Sequence, residues 1–215
     1  MNLIETKHSY VIQDFFAPDI VAGFTKNSLA GIMPQDLFTA LGKEVSYAWM
    51  DQVHGPVVHN VNEQGRYVGD GLITAKKDFV LVVRTADCVP ILLSDDKGGI
   101  AAIHMGWRSA QTGILENLPK DLSSYKAVIG PCMRKCCFEV KADFYNYKNF
   151  TENILKREDK LYFDPIAFAK ASLMRRGLVQ DNLYDTGICT ICSGYDLPSF
   201  RRDKTDRRII NFILR

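Results

Sequence analysis

The chain has 215 residues, 47% of them hydrophobic and 24% charged, enough apolar material for a sizeable core, which excludes a disordered or fibrous chain. A formal net charge of +2 gives no ground for a nucleic-acid partner, since the basic tail Arg201, Arg202, Lys204, Arg207, Arg208 is interrupted by Asp203 and Asp206. No stretch approaches the roughly 20 apolar residues of a membrane helix, and Met1 to Phe16, carrying Glu5, Lys7, His8 and Asp14, reads as neither signal peptide nor anchor.

In chain order, short runs rich in Val, Ile, Phe and Tyr predict strands at Tyr10 to Phe15, Ile20 to Phe24, Ser46 to Met50, Val57 to Val61, Phe79 to Val83, Val89 to Leu93, Ile100 to His104 and Lys126 to Ile129, with a last one at Ile209 to Leu214. Helices are expected at Ser109 to Leu118 and Lys141 to Leu155. A third is better signalled: Asp164 offers a cap, Pro165 suits a first helical position, Ile166 to Arg176 carries the pattern and Gly177 suits the stop. No repeat or linker interrupts the chain, so the expectation is one α+β domain over residues 1–215 in which strands outnumber helices.

Three loops carry chemistry. Asp51-Gln52-Val53-His54-Gly55 ends a strand on a histidine just before Gly-Pro, where a side chain can face a cleft. Arg84-Thr85-Ala86-Asp87-Cys88-Val89-Pro90 is a polar hinge between two apolar runs, and an unpaired buried polar group costs about 1–3 kcal/mol, so it needs a reason. Ile100 to Arg108 stops a strand at His104 and passes through Gly106 towards a helix, releasing a histidine, an aromatic plate and a guanidinium together. Taken singly, a strand-end histidine reads as structural and a free cysteine as core filling.

The strings DQVHG, DGLIT, TADCVPILL, AAIHMGWR, GPCMRKCCFEV and SFRRDKTDRR, spread over residues 51 to 208, together resemble the YfiH-like laccase-domain family, also described as multicopper polyphenol oxidases, which includes bacterial purine nucleoside phosphorylases. The resemblance implies mixed β-sheets flanked by helices in layers, and metal ligands at His54, Cys88 and His104. Ser109, Arg134 and Asp206 stand where the family usually has glycine, which bears on pocket shape.

Two imidazoles and one thiolate leave a tetrahedral ion one open position, the pattern of catalytic zinc, and a water bound there is acidified enough for hydrolytic deamination. Copper is the alternative, since it binds N/S sites tightly. The four histidines, His8, His54, His59 and His104, are too few for a multicopper oxidase, and Met105 alternates with His104 along a strand and is expected to point away. The implied activity is phosphorolysis of adenosine or inosine to base and ribose 1-phosphate, with adenosine deamination beside it. Catalytic candidates are Asp87, Arg108 and Glu139, and substrate-binding candidates are Arg84, Asp70 and Arg202. Arg108 and Arg202 are expected at the phosphate, while Asp70, Asp87 and Glu139 are the eligible acid/base carboxylates, Asp87 alternatively orienting an imidazole.

Two rivals use the same residues differently. Cys88 with His104 makes a nucleophilic dyad for amide hydrolysis, which the family resemblance extends to peptidoglycan editing, though it leaves His54 without a task. Six cysteines without a secretory signal are expected reduced, in a cytoplasmic protein. Those outside the loops, Cys132, Cys136, Cys137 and the Cys189-Thr190-Ile191-Cys192 pair, suggest a structural zinc knob, against which adjacent Cys136 and Cys137 would diverge on a strand and a second CxxC is missing. A monomer is expected.

Overall fold

A computed structural model describes residues 2–34 and 45–215. Alternation of side chains along the central strands builds the layers. In β8 (Phe79–Thr85), Phe79, Leu81 and Val83 face one apolar cluster while Val80 and Val82 face another. In β9 (Val89–Asp95) and β10 (Ile100–Met105), Leu92, Ile100 and Ala102 join Phe79 and Leu81, whereas Ile91, Leu93, Ala101, Ile103 and Met105 turn to the opposite side. Strands apolar on both faces must be covered on both, and this sets the order of layers.

The first layer is a seven-stranded sheet, in the order β1 (Asn2–Glu5), β2 (Ser9–Gln13), β3 (Val21–Thr25), β16 (Ile209–Leu214), β8, β4 (Ser46–Asp51), β6 (Gly65–Val68). The second is six-stranded, in the order β15 (Leu183–Asp185), β11 (Tyr125–Ile129), β9, β10, β7 (Gly71–Thr74), β5 (Val58–Asn60). Behind it pack α1 (Trp107–Gln111), α2 (Pro165–Arg175) and a small sheet of β12 (Glu139–Val140), β14 (Lys160–Phe163) and β13 (Ile154–Arg157). A last short helix, α3 (Phe200–Asp203), precedes β16. The result is an α+β fold of mixed sheets with few helices.

Every strand expected from the sequence is present within a few residues, and α2 starts as read: the Asp164 carboxylate accepts from Ile166 N and Ala167 N, and Gly177 follows at φ +95°. The other two helices differ. The Ser109–Leu118 expectation is cut by Gly113 at φ +87°, leaving α1 and a 3-10 turn at Leu115–Asn117. Lys141–Leu155 forms two 3-10 turns, Ala142–Asn146 and Lys148–Asn153, and then enters β13. Its aromatic residues Phe144, Tyr147 and Phe150 recur every third residue, the period of a 3-10 turn, and pack as a ladder with Phe144 and Phe150 stacked at 5.4 Å.

Candidate metal centre and active site

The three loops that carry His54, Cys88 and His104 meet at one end of the two large sheets. His54 follows β4 in a left-handed backbone conformation (φ +58°), Cys88 sits in the β8–β9 turn after Asp87 (φ +91°), and His104 is the penultimate residue of β10. Their ligand atoms lie within 4.8 Å of one another, His54 Nε2 is 3.8 Å from Cys88 Sγ, and the two imidazoles meet edge to face at 4.8 Å. Met105, one residue on, packs into the core cluster on the other face of β10, as strand alternation requires.

Asp70, between β6 and β7, organises the group. Its Oδ1 accepts from His104 Nδ1 at 2.7 Å and His54 N at 3.0 Å, and its Oδ2 from Gly55 N at 2.8 Å and Val53 N at 3.2 Å. Three consecutive N–H groups converging on one carboxylate form an anion nest that holds the DQVHG loop. The bond to Nδ1 leaves His104 Nε2 to serve as a ligand. Burial opposes ionisation of Asp70, but His104 and the loop N–H groups overcome it and lower the carboxyl pKa. Asp70 is therefore not a substrate contact: it is fully buried and both its oxygens are taken.

Without a metal the cluster polarises itself. Burial disfavours the Cys88 thiolate, yet the charge and hydrogen bond of His104, with help from His54, bring the thiol down to about 6. Burial likewise opposes His104 protonation, and the Cys88 thiolate and then Asp70 raise the imidazole to about 9. The neighbourhood thus favours a thiolate beside a protonated His104, and a zinc-type ion would displace that proton to gain one sulfur and two imidazole donors.

Gly106 makes the approach feasible, since a Cβ there would lie 2.7 Å from His54 Cδ2 and 3.3 Å from Cys88 Sγ. Ser109, one of the departures from the family pattern, fixes this turn from below: its buried hydroxyl accepts from Gly106 N at 2.9 Å and lies 3.0 Å from Gly106 O and 3.3 Å from His104 O. Gln52 fixes the first loop to β8 by donating to Arg84 O at 2.7 Å and accepting from Arg84 N at 2.8 Å.

Two clefts open on the cluster. One, about 500 Å³, is walled by Trp107, Phe138, Phe144 and Phe200 and reaches His54 and Cys88. The other, about 470 Å³, is polar and contains Arg84, Arg108 and Arg208 beside His54, Cys88 and His104. Arg84 stacks on Trp49 at 4.8 Å, and its buried Nε has no hydrogen-bond partner among the described residues. Burial, then the neighbouring Arg208 charge, lowers the Arg84 pKa. Arg108 stacks on Trp107 at 5.0 Å, borders both clefts, and takes no part in the ion pairs found among the described residues.

The remaining candidates take other places. Asp87 faces neither imidazole: its carboxylate accepts from Thr190 Oγ1 at 2.6 Å and Arg201 N at 2.7 Å, so the orienting role read for it belongs to Asp70. Arg202 does not join the arginine cleft, because its guanidinium donates to the carbonyls of Thr190, Ile191 and Leu197 and pairs with Asp203. Glu139 lines the aromatic cleft with its carboxylate paired to Lys160 at 2.9 Å. Arg208, Phe138, Phe144 and Phe200 went unread as site residues. Arg208 directly precedes β16, whose Ile210 pairs with Arg84, and only that register brings the two arginines together.

Residues 34–215 match the family described as multi-copper polyphenol oxidoreductase laccase. The chain belongs to that family. Members similar to it include proteins named purine nucleoside phosphorylase from Aquifex aeolicus, 35% identical over 80% of this chain and 84% of that one, and from Borreliella burgdorferi, 29% identical over 94% of each. The fold is also that of the Bacillus licheniformis hypothetical protein YfiH, with a TM-score of 0.85 at 21% identity over 98% of both chains. Among the described residues, no helix is long and apolar enough to cross a membrane.

Proposed function

We propose that this chain is a zinc-dependent purine nucleoside phosphorylase, converting adenosine or inosine plus phosphate into free base and ribose 1-phosphate, with hydrolytic deamination of adenosine as a second activity. The observation that carries this reading is the position of the His54–Cys88–His104 cluster between an aromatic cleft and an arginine cleft. The donor set fits zinc: a sulfur favoured as thiolate, one imidazole fixed by a carboxylate, and a second 3.8 Å from the sulfur. Held by His54, Cys88 and His104, zinc would supply Lewis acidity.

The chain's own residues do the rest. The aromatic cleft lies in the usual size range for small ligands, roughly 300–1,000 Å³, and Phe138, Phe144 and Phe200 offer faces for a purine ring. Arg84, Arg108 and Arg208 would bind phosphate; a guanidinium whose Nε has no partner among the described residues and which lies beside another arginine is relieved of repulsion when an anion enters. Base and phosphate then flank a ribose held over the cluster, an arrangement that puts the attacking phosphate oxygen near the anomeric carbon while the arginines balance its charge.

Oxidase chemistry fits less well. Among the described residues, only one group of three or more close ligands contains histidine, and His59 is held by Val68 O at 2.9 Å. The amide-hydrolase reading is favoured by one observation, the chain Cys88–His104–Asp70, which has the order of nucleophile, base and orienting carboxylate. Metal dependence separates the two. The protein is purified without added metal, assayed for zinc, and incubated with adenosine with and without phosphate, beside Cys88→Ala. Adenine released only with phosphate, and lost on zinc removal, is the expected result; a zinc-loaded wild type that yields no purine product overturns the reading, and amide hydrolysis surviving chelation replaces it.

A further inference from the structure

A second cluster of ligating side chains lies outside this site. The sulfurs of Cys136, Cys137, Cys189 and Cys192 all lie within 4.8 Å of one another, with Cys136 and Cys192 at 3.4 Å. The objection that adjacent cysteines diverge on a strand does not apply, because Cys136 and Cys137 occupy a turn in which Cys137 N and Phe138 N both donate to Arg134 O. Nor is a second CxxC required, since the Cys136–Cys137 pair supplies the other two thiols. Cys132 stays out of the quartet, wholly buried in the core.

We propose that these four cysteines bind a structural zinc ion as a closed tetrathiolate site, distinct from the His54–Cys88–His104 centre. Zinc–thiolate bonds of about 2.3 Å in a tetrahedron place sulfurs about 3.8 Å apart, so the quartet has nearly the dimensions of a ligand shell. Four ligands leave no open position, so the ion is structural and takes no part in the reaction.

Its location gives it a task. It joins the β11–β12 loop to the loop after β15, which otherwise meet through a bridge at Cys132 and Cys189. Both loops hold Asp87, one through Met133 N to Asp87 O at 2.8 Å and the other through Thr190 Oγ1 to its carboxylate. Asp87 precedes Cys88, so the structural ion would brace the loop that carries the thiolate ligand of the first centre.

Metal counting tests this. Wild type, Cys88→Ala, Cys136→Ser/Cys192→Ser and the triple variant are purified under reducing conditions without added metal, and zinc is quantified per chain. The expected counts are two, one, one and none, with a lower melting temperature in the double variant. A wild-type count of one that vanishes in Cys88→Ala and persists in the double variant overturns the proposal, as does recovery of a Cys136–Cys192 disulfide from freshly purified protein that has only one zinc. Should the double variant fail to fold, cobalt replacement in Cys88→Ala decides: thiolate-to-cobalt absorption remains if the quartet binds metal and is absent if it does not.

Discussion

Replacing Asp70 with asparagine tests the organisation of the centre at its most connected point. The carboxylate has four donors, two on each oxygen, and an amide keeps only one oxygen. If the amide nitrogen of Asp70→Asn turns to Val53 and Gly55, two partly buried N–H groups lose a charged acceptor at about 1–3 kcal/mol each. The loss is then about 2–6 kcal/mol, a large part of the roughly 5–15 kcal/mol of a typical domain. If the nitrogen turns to His104 instead, Nδ1 must become the acceptor and Nε2 the protonated atom, and the imidazole cannot ligate. Urea unfolding of the metal-free protein reads the first outcome, and zinc competition against a chromogenic chelator reads the second. The expectation is a stability loss of at least about 2 kcal/mol, a zinc affinity lower by about 10- to 100-fold, or both. A variant within about 0.5 kcal/mol of wild type, the scatter of ordinary surface changes, and with unaltered zinc affinity refutes this account of Asp70.

Three further expectations test neighbouring parts. Burial opposes ionisation of Asp185, but its bidentate bond to Arg134, with Gly187 N and Lys170, holds the carboxyl at about 2 against an ordinary 3.8. At about 1.4 kcal/mol per unit this contributes about 2 kcal/mol, complete above the ordinary value and lost as pH falls through the folded one; Asp185→Asn should cost that much at pH 6 and progressively less in acid, and a difference constant down to pH 2 contradicts it. Gly106→Ala adds a Cβ 2.7 Å from His54 Cδ2 without backbone strain (φ −80°), so zinc affinity should fall about 10-fold or more, the scale of other supporting-shell changes, and unchanged binding sinks the packing argument. In chelated protein, brief alkylation followed by peptide mapping should label Cys88 with a midpoint near pH 6 and spare buried Cys132, whose thiol burial pushes well up; a Cys88 midpoint at the ordinary value of about 8.5 shows that the imidazoles do not act on it.

What the sequence disclosed was local or periodic. The α2 helix reads from Asp164, Pro165 and Gly177 because each acts within a few residues of itself, and the separation of Met105 from His104 follows from strand alternation alone. The aromatic ladder at 144–150 was misread because apolar residues at every third position satisfy part of a helical pattern while belonging to 3-10 turns. The candidate metal trio is legible only through resemblance, since nothing in three separate loops says that they meet. Partners set by strand register were invisible: Asp70 reaches His104 because β7 pairs antiparallel with β10, and Arg208 reaches Arg84 through β16 and β8. Asp87, adjacent to a ligand in sequence, looked the better partner for an imidazole than Asp70, which is adjacent in space.

His54 and Asp87 share a further property that links the fold to the chemistry. Both are non-glycine residues at positive φ, a conformation that costs on the order of 1–3 kcal/mol in strained cases, and both stand at or beside a ligand. Each is held there by a carboxylate in charge-assisted hydrogen bonds, His54 through its N–H to Asp70 and Asp87 through its own side chain to Arg201 N and Thr190. Such bonds contribute about 1.5–3 kcal/mol apiece, enough to offset the backbone cost. The loops of the proposed centre are therefore fixed by the protein itself, and its third proposed ligand, His104, lies on strand β10 with its ring pinned at Nδ1. A centre arranged in this way gives up little freedom on metal binding, so its affinity should respond more to changes in Asp70 and Asp87 than to changes in the walls of the proposed substrate clefts.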